Sequence, residues 1–432
     1  MLSELIEASE VTVIRGGTLV DGTGSAPVDD AVVVVSGSKI TAVGSSSEIH
    51  IPNRARIIDA VGKTVMPGLI DAHLHVGGWR TDNPLIENLV VPDGVKLLRA
   101  GMDAALLLDA GYTTVKDCSG IGAVYIKRAI AEGTLRGPRI LAAGYDLTQT
   151  FGHGDVFHFL PIETTEARNA HGKWGIFPLI CDGVEECMKA ARYTLREGAD
   201  FVKIHTSGGI MSERDRPEHT QFTLEEIAAI VKVAQNAGTF VTAHCQSTEG
   251  MRISIEGGVK TIDHAFYPDD EVIEAGKKRN VVFVSTLSIM KRMNDGGVQA
   301  GYPEWSVRKS REAWSAVVKN IAKIYRSGAT LAAGTDFVGS KLLRLGENAL
   351  ELELLVEHCG LSPMDAIVSA TQNGAKACCM EDRIGTLEKG KLADIAIIDG
   401  DPLKDIKILQ QRERIQMVMK EGSVCIERDR IN

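Results

Sequence analysis

The stretch TVMPGLIDAHLHV, residues 64–76, decides how this chain folds and where its chemistry lies. It begins as an apolar strand and ends in two histidines, His73 and His75, that are separated by one residue. Because side chains at positions i and i+2 of a strand face the same side, the two imidazoles point the same way. Two neutral imidazoles in this arrangement supply part of a zinc site. Two histidines satisfied by hydrogen bonds are the alternative.

Short apolar strands and helix-patterned stretches alternate through the middle of the chain. Helices are predicted at Thr223–Ala237 and Pro363–Ala375, among others. Eight strands are predicted, at Thr64–Leu69, Thr113–Lys116, Arg139–Ala143, Phe201–His205, Phe240–Ala243, Thr261–Asp263, Val281–Val284 and Thr330–Ala333. This alternation predicts an α/β fold, a (β/α)8 TIM-like barrel, and such barrels keep their chemistry at the C-terminal ends of the strands.

Both ends of the chain are predicted to be rich in β structure. The predicted strands are Val11–Arg15, Ala31–Val35, Lys39–Val43 and Ile57–Asp59 near the start, and Ala393–Asp399 and Gln416–Lys420 near the end. Two small β-rich ends that flank one long middle predict that the termini meet in a single small domain. We therefore predict a β domain formed by residues 1–66 plus 380–432 and a barrel formed by residues 67–379.

Composition excludes several classes of function. The 432 residues carry a net charge of −9, so bulk electrostatics favour neither nucleic acid nor an anionic membrane surface as a partner. No apolar run reaches the roughly 20 residues of a membrane span, and the first residues lack the pattern of a signal peptide. The eight cysteines are scattered without a CxxC pair, which fits reduced thiols. These features predict a cytoplasmic protein that acts on a small molecule.

Four more of the predicted strands end in residues that can bind a metal. Strand four carries Lys203 near its end, and strands five, six and eight lead to His244, His264 and Asp336. The C-terminal ends of all strands meet at one mouth of a barrel. The sequence therefore predicts that these side chains meet the two histidines of strand one and form a metal centre.

Metal chemistry divides this set into two groups. One divalent ion would be held by His73, His75 and Asp336, and a second by His244 and His264. The lysine of strand four would bridge them as a carbamate, although a substrate-binding ammonium or an amine paired with Asp336 stays open. Imidazole and carboxylate ligands suit zinc, with Mn, Co or Fe as alternatives. Two ions about 3.5–4 Å apart can share a hydroxide, whose proton Asp336 can accept and pass to the leaving amine.

Together these motifs resemble the amidohydrolase superfamily, in the branch with two metals and a carboxylated lysine. The resemblance covers essentially the whole chain and is carried by MPGLIDAHLH (66–75), FVKI (201–204), the His244 and His264 strands, GTD (334–336) and GKLADIAI (390–397). It implies a barrel with a small β-sandwich built from both chain ends, Lys203 carboxylated by CO2, and a homo-oligomer.

Within the superfamily the chain is similar to the group of Xaa-Pro dipeptidases, metal-dependent carboxypeptidases and ochratoxin hydrolases. The supporting segments are TTVKDCSG (113–120), GPRILAAG (137–144), TQTFGHGD (148–155) and KIHTSGGI (203–210). The resemblance implies that His153 helps to polarise the scissile carbonyl, with a loop histidine bonded to Asp155 as the alternative. Where peptidases of this group usually carry a Tyr that donates to the carbonyl, this chain has Gln246, whose amide can still donate.

The sequence offers several candidates for the residues that bind the substrate. A substrate carboxylate needs cationic side chains or backbone donors, and the candidates are the segment Ser207, Gly208 and Gly209 together with Arg80, Arg168, Arg214, Arg216 and His219. An apolar wall would come from Trp79, Phe151, Phe157, Phe159, Trp174 and Phe177. His205 is interpreted as a partner of the ligands or a core histidine.

The sequence thus predicts a binuclear metal hydrolase that cleaves a C–N amide bond of a dipeptide or an N-acyl amino acid. Gln246 and the aromatic loops favour an alternative substrate, a urea, carbamate or anilide at the same centre. A deaminase is disfavoured because deaminases of this superfamily usually hold one metal and lack the lysine of strand four. A non-catalytic scaffold is disfavoured because every ligand position is filled.

Overall fold

A computed structural model describes residues 11–81, 83–161 and 178–428 of the chain. The two chain ends form one sheet. Its strands are β1 (Val11–Leu19), β2 (Val28–Ser36), β3 (Lys39–Ser45), β4 (Arg56–Asp59), β5 (Thr64–Pro67), β16 (Ile395–Ile398), β17 (Ile415–Lys420) and β18 (Ser423–Glu427). Their order in the sheet is β18-β17-β16-β5-β1-β2-β3, with β4 paired to β1.

The two ends of the chain meet where β5 pairs antiparallel with β16, and Met66 lies opposite Ala396. Side chains from both ends fill one apolar core, among them Ile14, Val33 and Met419. These contacts confirm the predicted small β-sandwich built from the two termini. The domain boundaries at residues 66 and 380 stay predictions.

The middle of the chain forms a barrel of parallel strands. They are β6 (Leu69–Leu74), β7 (Tyr112–Asp117), β8 (Arg139–Ala142), β9 (Leu147–Thr148), β10 (Leu179–Ile180), β11 (Val202–His205), β12 (Val241–Cys245), β13 (Thr261–His264), β14 (Val282–Ser285) and β15 (Leu331–Ala333). Past the end of β15, the Thr335 N–H donates to the carbonyl of His73 (2.9 Å), which closes the ring onto β6. On the other side the Asp200 N–H donates to the carbonyl of Ala142 (2.8 Å) and links β8 to β11. The predicted TIM-like barrel is confirmed.

Helices cover the outside of the barrel. Within the described residues they are α1 (Pro84–Val90), α2 (Asp93–Asp109), α3 (Ile121–Ala131), α4 (Val184–Arg196), α5 (Leu224–Asn236), α6 (Thr248–Gly257), α7 (Asp270–Lys278), α8 (Leu287–Ala300), α9 (Glu304–Arg326), α10 (Leu350–Cys359), α11 (Pro363–Ser369) and α12 (Gln372–Ala377). Helix α5 begins as the sequence predicts, because Thr223 and Glu226 form a reciprocal capping box. None of these helices is both long and apolar enough to cross a membrane.

Two of the predicted elements were wrong in their extent. The first barrel strand does not run from Thr64 to Leu69, because β5 belongs to the terminal sheet and the barrel strand β6 begins only at Leu69. Between them the chain changes sheets at Gly68, where a Cβ atom would lie 2.2 Å from the side chain of Thr113. Only glycine fits such a close approach.

The predicted helix Pro363–Ala375 is in fact two helices, α11 and α12. The carbonyl of Ala370 accepts the N–H of Ile70 (2.7 Å), at the start of the first barrel strand, and so does not continue the helical ladder. This tertiary hydrogen bond connects the end of α11 to β6, and it cannot be predicted from local periodicity.

Helix α8 is capped by a side chain from another helix. Both carboxylate oxygens of Glu351 in α10 accept backbone N–H groups, from Leu287 (3.0 Å) and Ser288 (2.7 Å), and the Ser288 hydroxyl donates as well (2.7 Å). Burial raises the pKa of Glu351 to about 7, although these hydrogen bonds act in the opposite direction. Between pH 4.5 and about 7, the carboxyl group of Glu351 is therefore protonated in the native state and ionised in the unfolded chain.

The stability of the metal-free protein should depend on pH through this carboxyl group. Its contribution to the free energy of unfolding is fully present below its ordinary pKa of 4.5 and is lost as the pH rises through about 7. Glu351→Gln removes the titration, so between pH 5 and pH 8 the wild-type protein should lose about 1–3 kcal/mol more than the variant. Urea unfolding of both proteins at the two pH values measures this difference, and equal losses would contradict it.

Candidate metal centre

The six predicted ligands lie together at the C-terminal mouth of the barrel. They line one cavity of about 150 Å³. Each lies near the end of a strand or a few residues beyond it, which is why a chain with this strand pattern brings them together. The six are His73, His75, Lys203, His244, His264 and Asp336.

The first predicted group is assembled around one carboxylate oxygen. Oδ1 of Asp336 lies 3.0 Å from Nε2 of His75 and 3.4 Å from Nε2 of His73. The other ring nitrogen of each histidine also has a polar neighbour, the Ser119 hydroxyl 3.0 Å from His75 Nδ1 and the Asp263 carboxylate 2.9 Å from His73 Nδ1. Such partners orient metal-binding histidines in proteins, so these three side chains fit a divalent cation.

The second group consists of His244 and His264, whose ring centroids lie 4.5 Å apart. The Gly208 carbonyl lies 3.2 Å from His244 Nε2, and the Thr286 hydroxyl lies 2.8 Å from His264 Nδ1. Burial, together with the nearby amine of Lys203, holds the pKa of both histidines well below its ordinary value. They are therefore neutral, which is the form of imidazole that binds a metal.

Strained backbone positions two of the predicted ligands. His264 has φ +74° and Asp336 has φ +58°, in the left-handed region that residues other than glycine seldom adopt. His264 is the last residue of β13, and Asp336 lies three residues beyond the end of β15. Strain of this kind costs on the order of 1–3 kcal/mol per residue and concentrates at functional sites.

The amine of Lys203 pairs with a carboxylate that the sequence analysis missed. Its Nζ lies 2.5 Å from Oδ2 of Asp263, so the alternative pairing with Asp336 is not formed. A second buried amine, that of Lys116, lies 3.7 Å from the other oxygen of Asp263. Although burial acts in the opposite direction, these two cations hold the pKa of Asp263 well below its usual range. The sequence feature that could have identified Asp263 is its place two residues after Thr261 in the same strand. Side chains at positions i and i+2 of a strand face the same side, so both point into the barrel.

His153 is held by a relay of hydrogen bonds on the loop that follows β9. Its Nδ1 lies 2.8 Å from the Ser212 hydroxyl, and that hydroxyl donates to the carboxylate of Asp215. The imidazole ring stacks on that of His244 with centroids 4.0 Å apart. The alternative partner, Asp155, instead accepts the N–H of Phe151.

The predicted substrate contacts lie outside the described lining of the cavity. Gln246 is buried, and its N–H donates to the Ser207 hydroxyl (2.7 Å). Gly208 supports His244 through its carbonyl, and Arg216 is exposed. Gln246, Ser207 and Gly208 therefore lie behind the predicted metal ligand His244, and Arg216 lies at the surface. Contact between these four residues and the substrate stays a prediction.

The other carboxylate anchors are also placed away from the cavity. Both terminal nitrogens of Arg80 bind the carboxylate of Asp103, and Arg214 and His219 are exposed. Arg168 lies outside the described residues. No arginine among the described residues lines the cavity.

The walls of the cavity are mostly apolar. Of the predicted aromatic residues Trp79 lines it, Phe157 is buried beside it, Phe151 and Phe159 are largely exposed, and Trp174 and Phe177 lie outside the described residues. The apolar and aromatic lining consists of Trp79, Val156, Pro178, Met211, Ile289, Tyr302, Val338 and Leu343. Such a wall suits an apolar or aromatic substrate.

His205 and Asp146 form a polar corner of the same cavity, and the sequence analysis missed Asp146. His205 Nε2 lies 2.7 Å from Oδ2 of Asp146, and burial lowers the pKa of His205 to about 4. The rings of His153, His205 and His244 also lie close enough to share an ion. The stacked rings of His153 and His244 are inclined by only 16°, however, so their in-plane lone pairs do not converge on one point.

Comparison with known proteins identifies the family of this chain. Residues 64–425 match the amidohydrolase family, and the chain belongs to that family. The ochratoxinase of Aspergillus niger is 33% identical over 435 residues, which cover 97% of this chain and 87% of that protein. Its crystal structure superposes with a TM-score of 0.87 at 32% identity and covers 97% of this chain and 96% of that one.

Two peptidase structures are similar over nearly their whole length. A prolidase in complex with N-methylphosphonate-L-proline has a TM-score of 0.88 at 29% identity, covering 96% of this chain and 100% of that one. A Xaa-Pro dipeptidase with methionine in its active site has a TM-score of 0.84 at 29% identity, covering 96% and 99%. These findings confirm the predicted family and establish the protein as a hydrolase.

Ser212→Ala should lower turnover about 10- to 100-fold, because loss of an orienting partner behind an active-site imidazole typically has that effect. The metal content should stay unchanged, since Ser212 contacts His153 and not a predicted ligand. Steady-state kinetics and elemental analysis measure both. Asp155→Asn removes the alternative partner of His153 and should leave turnover unchanged. Full turnover in the Ser212 variant would show that the relay does not orient His153 for the reaction.

Proposed function

We propose that the protein hydrolyses a C–N amide bond of a dipeptide or an N-acyl amino acid with two divalent ions at the barrel mouth. The observation that carries the proposal is the convergence of the six predicted ligands on one cavity, where the ligand atoms of His73, His75 and Asp336 lie within 4.8 Å of one another. The similar prolidase and Xaa-Pro dipeptidase support a dipeptide as substrate.

Zinc is the proposed metal, with Mn, Co or Fe as alternatives, because imidazole and carboxylate ligands suit these ions. Two such ions would supply an activated water and polarise the scissile carbonyl. His73, His75 and Asp336 would hold one ion, and His244 and His264 the other. The lysine of β11 would bridge them after its neutral amine has added to CO2, which forms an N–C bond and releases one proton.

Asp336 is the proposed general base and acid. Its carboxylate lies in the cavity and contacts both histidines of the first group, so it can accept a proton from the attacking water. It can then deliver that proton to the nitrogen of the leaving amine. The strained backbone of Asp336 keeps the carboxylate in this position.

His153 is proposed to polarise the scissile carbonyl. Because the carboxylate of Asp215 can only accept, the Ser212 hydroxyl donates to it, and His153 donates from Nδ1 to Ser212. Nε2 is then left for the cavity. The carboxylate of Asp215 lies 3.8 Å from Nδ1 on the side of the ring that the relay occupies.

A urea, carbamate or anilide is the second candidate substrate. The described lining of the cavity is largely apolar and contains no arginine, which favours a leaving group without a carboxylate. Gln246 in place of a Tyr donor agrees with the same interpretation. Loading the protein with zinc and testing dipeptides, N-acyl amino acids, aryl ureas and anilides separates the two candidates. Release of free amino acid supports the first, and release of arylamine from substrates without a carboxylate supports the second.

A homo-oligomer in the cytoplasm is part of this proposal. Val90, Leu98 and Met102 on α1 and α2 expose 69%, 76% and 68% of their surface, and clustered exposed apolar residues are typical of interfaces between proteins. All eight cysteines are free thiols, which suits a reducing compartment.

Lys203→Ala should abolish most of the activity and lower the metal content from two ions per chain to one, because the bridging ligand is lost. Short carboxylic acids should restore part of the activity by replacing the carbamate. Elemental analysis and kinetics with and without added acetate or propionate measure these effects. In the wild-type protein, chelation should abolish activity and zinc or manganese should restore it. Full activity in the lysine variant would contradict the bridging role.

A further inference from the structure

One corner of the cavity takes no part in the proposed hydrolysis. Asp146, directly before β9, and His205, at the end of β11, both line the cavity, and they are 2% and 9% exposed. His205 Nε2 lies 2.7 Å from Oδ2 of Asp146. Within the described residues, the ion-pair partner of this carboxylate is His205 and not a lysine or an arginine.

Each member of the pair has a buried polar atom without a hydrogen-bond partner among the described residues. These atoms are Oδ1 of Asp146 and Nδ1 of His205. Because the carboxylate can only accept, His205 donates from Nε2, and its Nδ1 is then an acceptor. The corner therefore offers two unused acceptors and no unused donor. Buried polar groups are almost always satisfied in proteins, so a ligand rich in donors is the expected occupant.

The corner lies beside the place proposed for the scissile carbonyl. The ring of His205 is 5.4 Å from that of His153, which would polarise the carbonyl, and 5.3 Å from that of His244, a proposed ligand. A group on the carbon next to the carbonyl would thus lie within reach of the corner. In a dipeptide with a free N-terminus that group is an ammonium, which carries three donors and a positive charge.

We propose that Asp146 and His205 bind the free amino group of the acyl part of the substrate. The inference rests on the proposed amide hydrolysis and narrows it from N-acyl compounds in general to aminoacyl compounds. It concerns the acyl side alone, so it holds whether the leaving group is an amino acid or an arylamine. Asp146 supplies charge and one acceptor, and His205 holds Asp146 in place and supplies the second.

The test uses four substrates that vary the two sides of the scissile bond independently. The acyl part is leucyl or 4-methylpentanoyl, which differ only in the amino group, and the leaving group is phenylalanine or 4-nitroaniline. With zinc-loaded wild-type protein, kcat/KM should be about tenfold or more higher for the leucyl member of each pair, as expected for hydrogen bonds to a buried charge.

Asp146→Asn keeps the shape of the side chain and removes its charge. It should lower kcat/KM for the leucyl substrates about tenfold or more and leave the 4-methylpentanoyl substrates within about twofold, with the metal content unchanged. Asp155→Asn, a carboxylate on the neighbouring loop that does not line this cavity, should change neither. A purely structural role for Asp146 would lower the rates for both acyl groups alike.

The inference is overturned when the wild-type protein hydrolyses the 4-methylpentanoyl substrates as fast as the leucyl ones, or when Asp146→Asn affects both equally. The comparison in the wild-type protein can overturn the inference even where the variant does not fold. Hydrolysis of none of the four substrates would instead refute the proposed amide hydrolysis, and the inference with it.

Discussion

The mouth of the barrel depends on one buried carboxylate, that of Asp263. Its oxygens lie 2.5 Å from the amine of Lys203, 3.7 Å from that of Lys116 and 2.9 Å from Nδ1 of His73, and none of these side chains is more than 2% exposed. An unpaired charge in such a place costs several kcal/mol. The strands that carry these residues can therefore close around them only as a paired set. The same contacts orient His73 towards Asp336, within the first group of predicted ligands.

The sequence sufficed to predict that the six side chains meet at the barrel mouth, because their positions follow from local rules and one topological rule. The spacing of His73 and His75 puts both on one face of a strand. His244 and His264 directly follow predicted apolar strands, and Asp336 lies three residues beyond one. Once eight strands alternate with helices, barrel closure brings all the strand ends to one mouth. The six side chains therefore meet without any further local pattern in the sequence.

What the sequence missed depends on contacts between distant segments. Asp146 gains its role only from His205, 59 residues away, and Asp263 from a lysine on another strand. The break between α11 and α12 comes from a hydrogen bond between Ile70 and Ala370, which no periodicity records. Substrate contacts were the least predictable, since they depend on how loops fold over the barrel mouth.

The proposed hydrolysis requires two divalent ions at the barrel mouth, joined by a modified lysine. The decisive test is a crystal structure of the protein purified with zinc and bicarbonate, with anomalous diffraction recorded at the zinc edge. Two anomalous peaks are expected, one among His73, His75 and Asp336 and one at His244 and His264, with a carbamate on Lys203 between them. A single peak, or an unmodified Lys203 still paired with Asp263 beside bound zinc, would contradict this requirement.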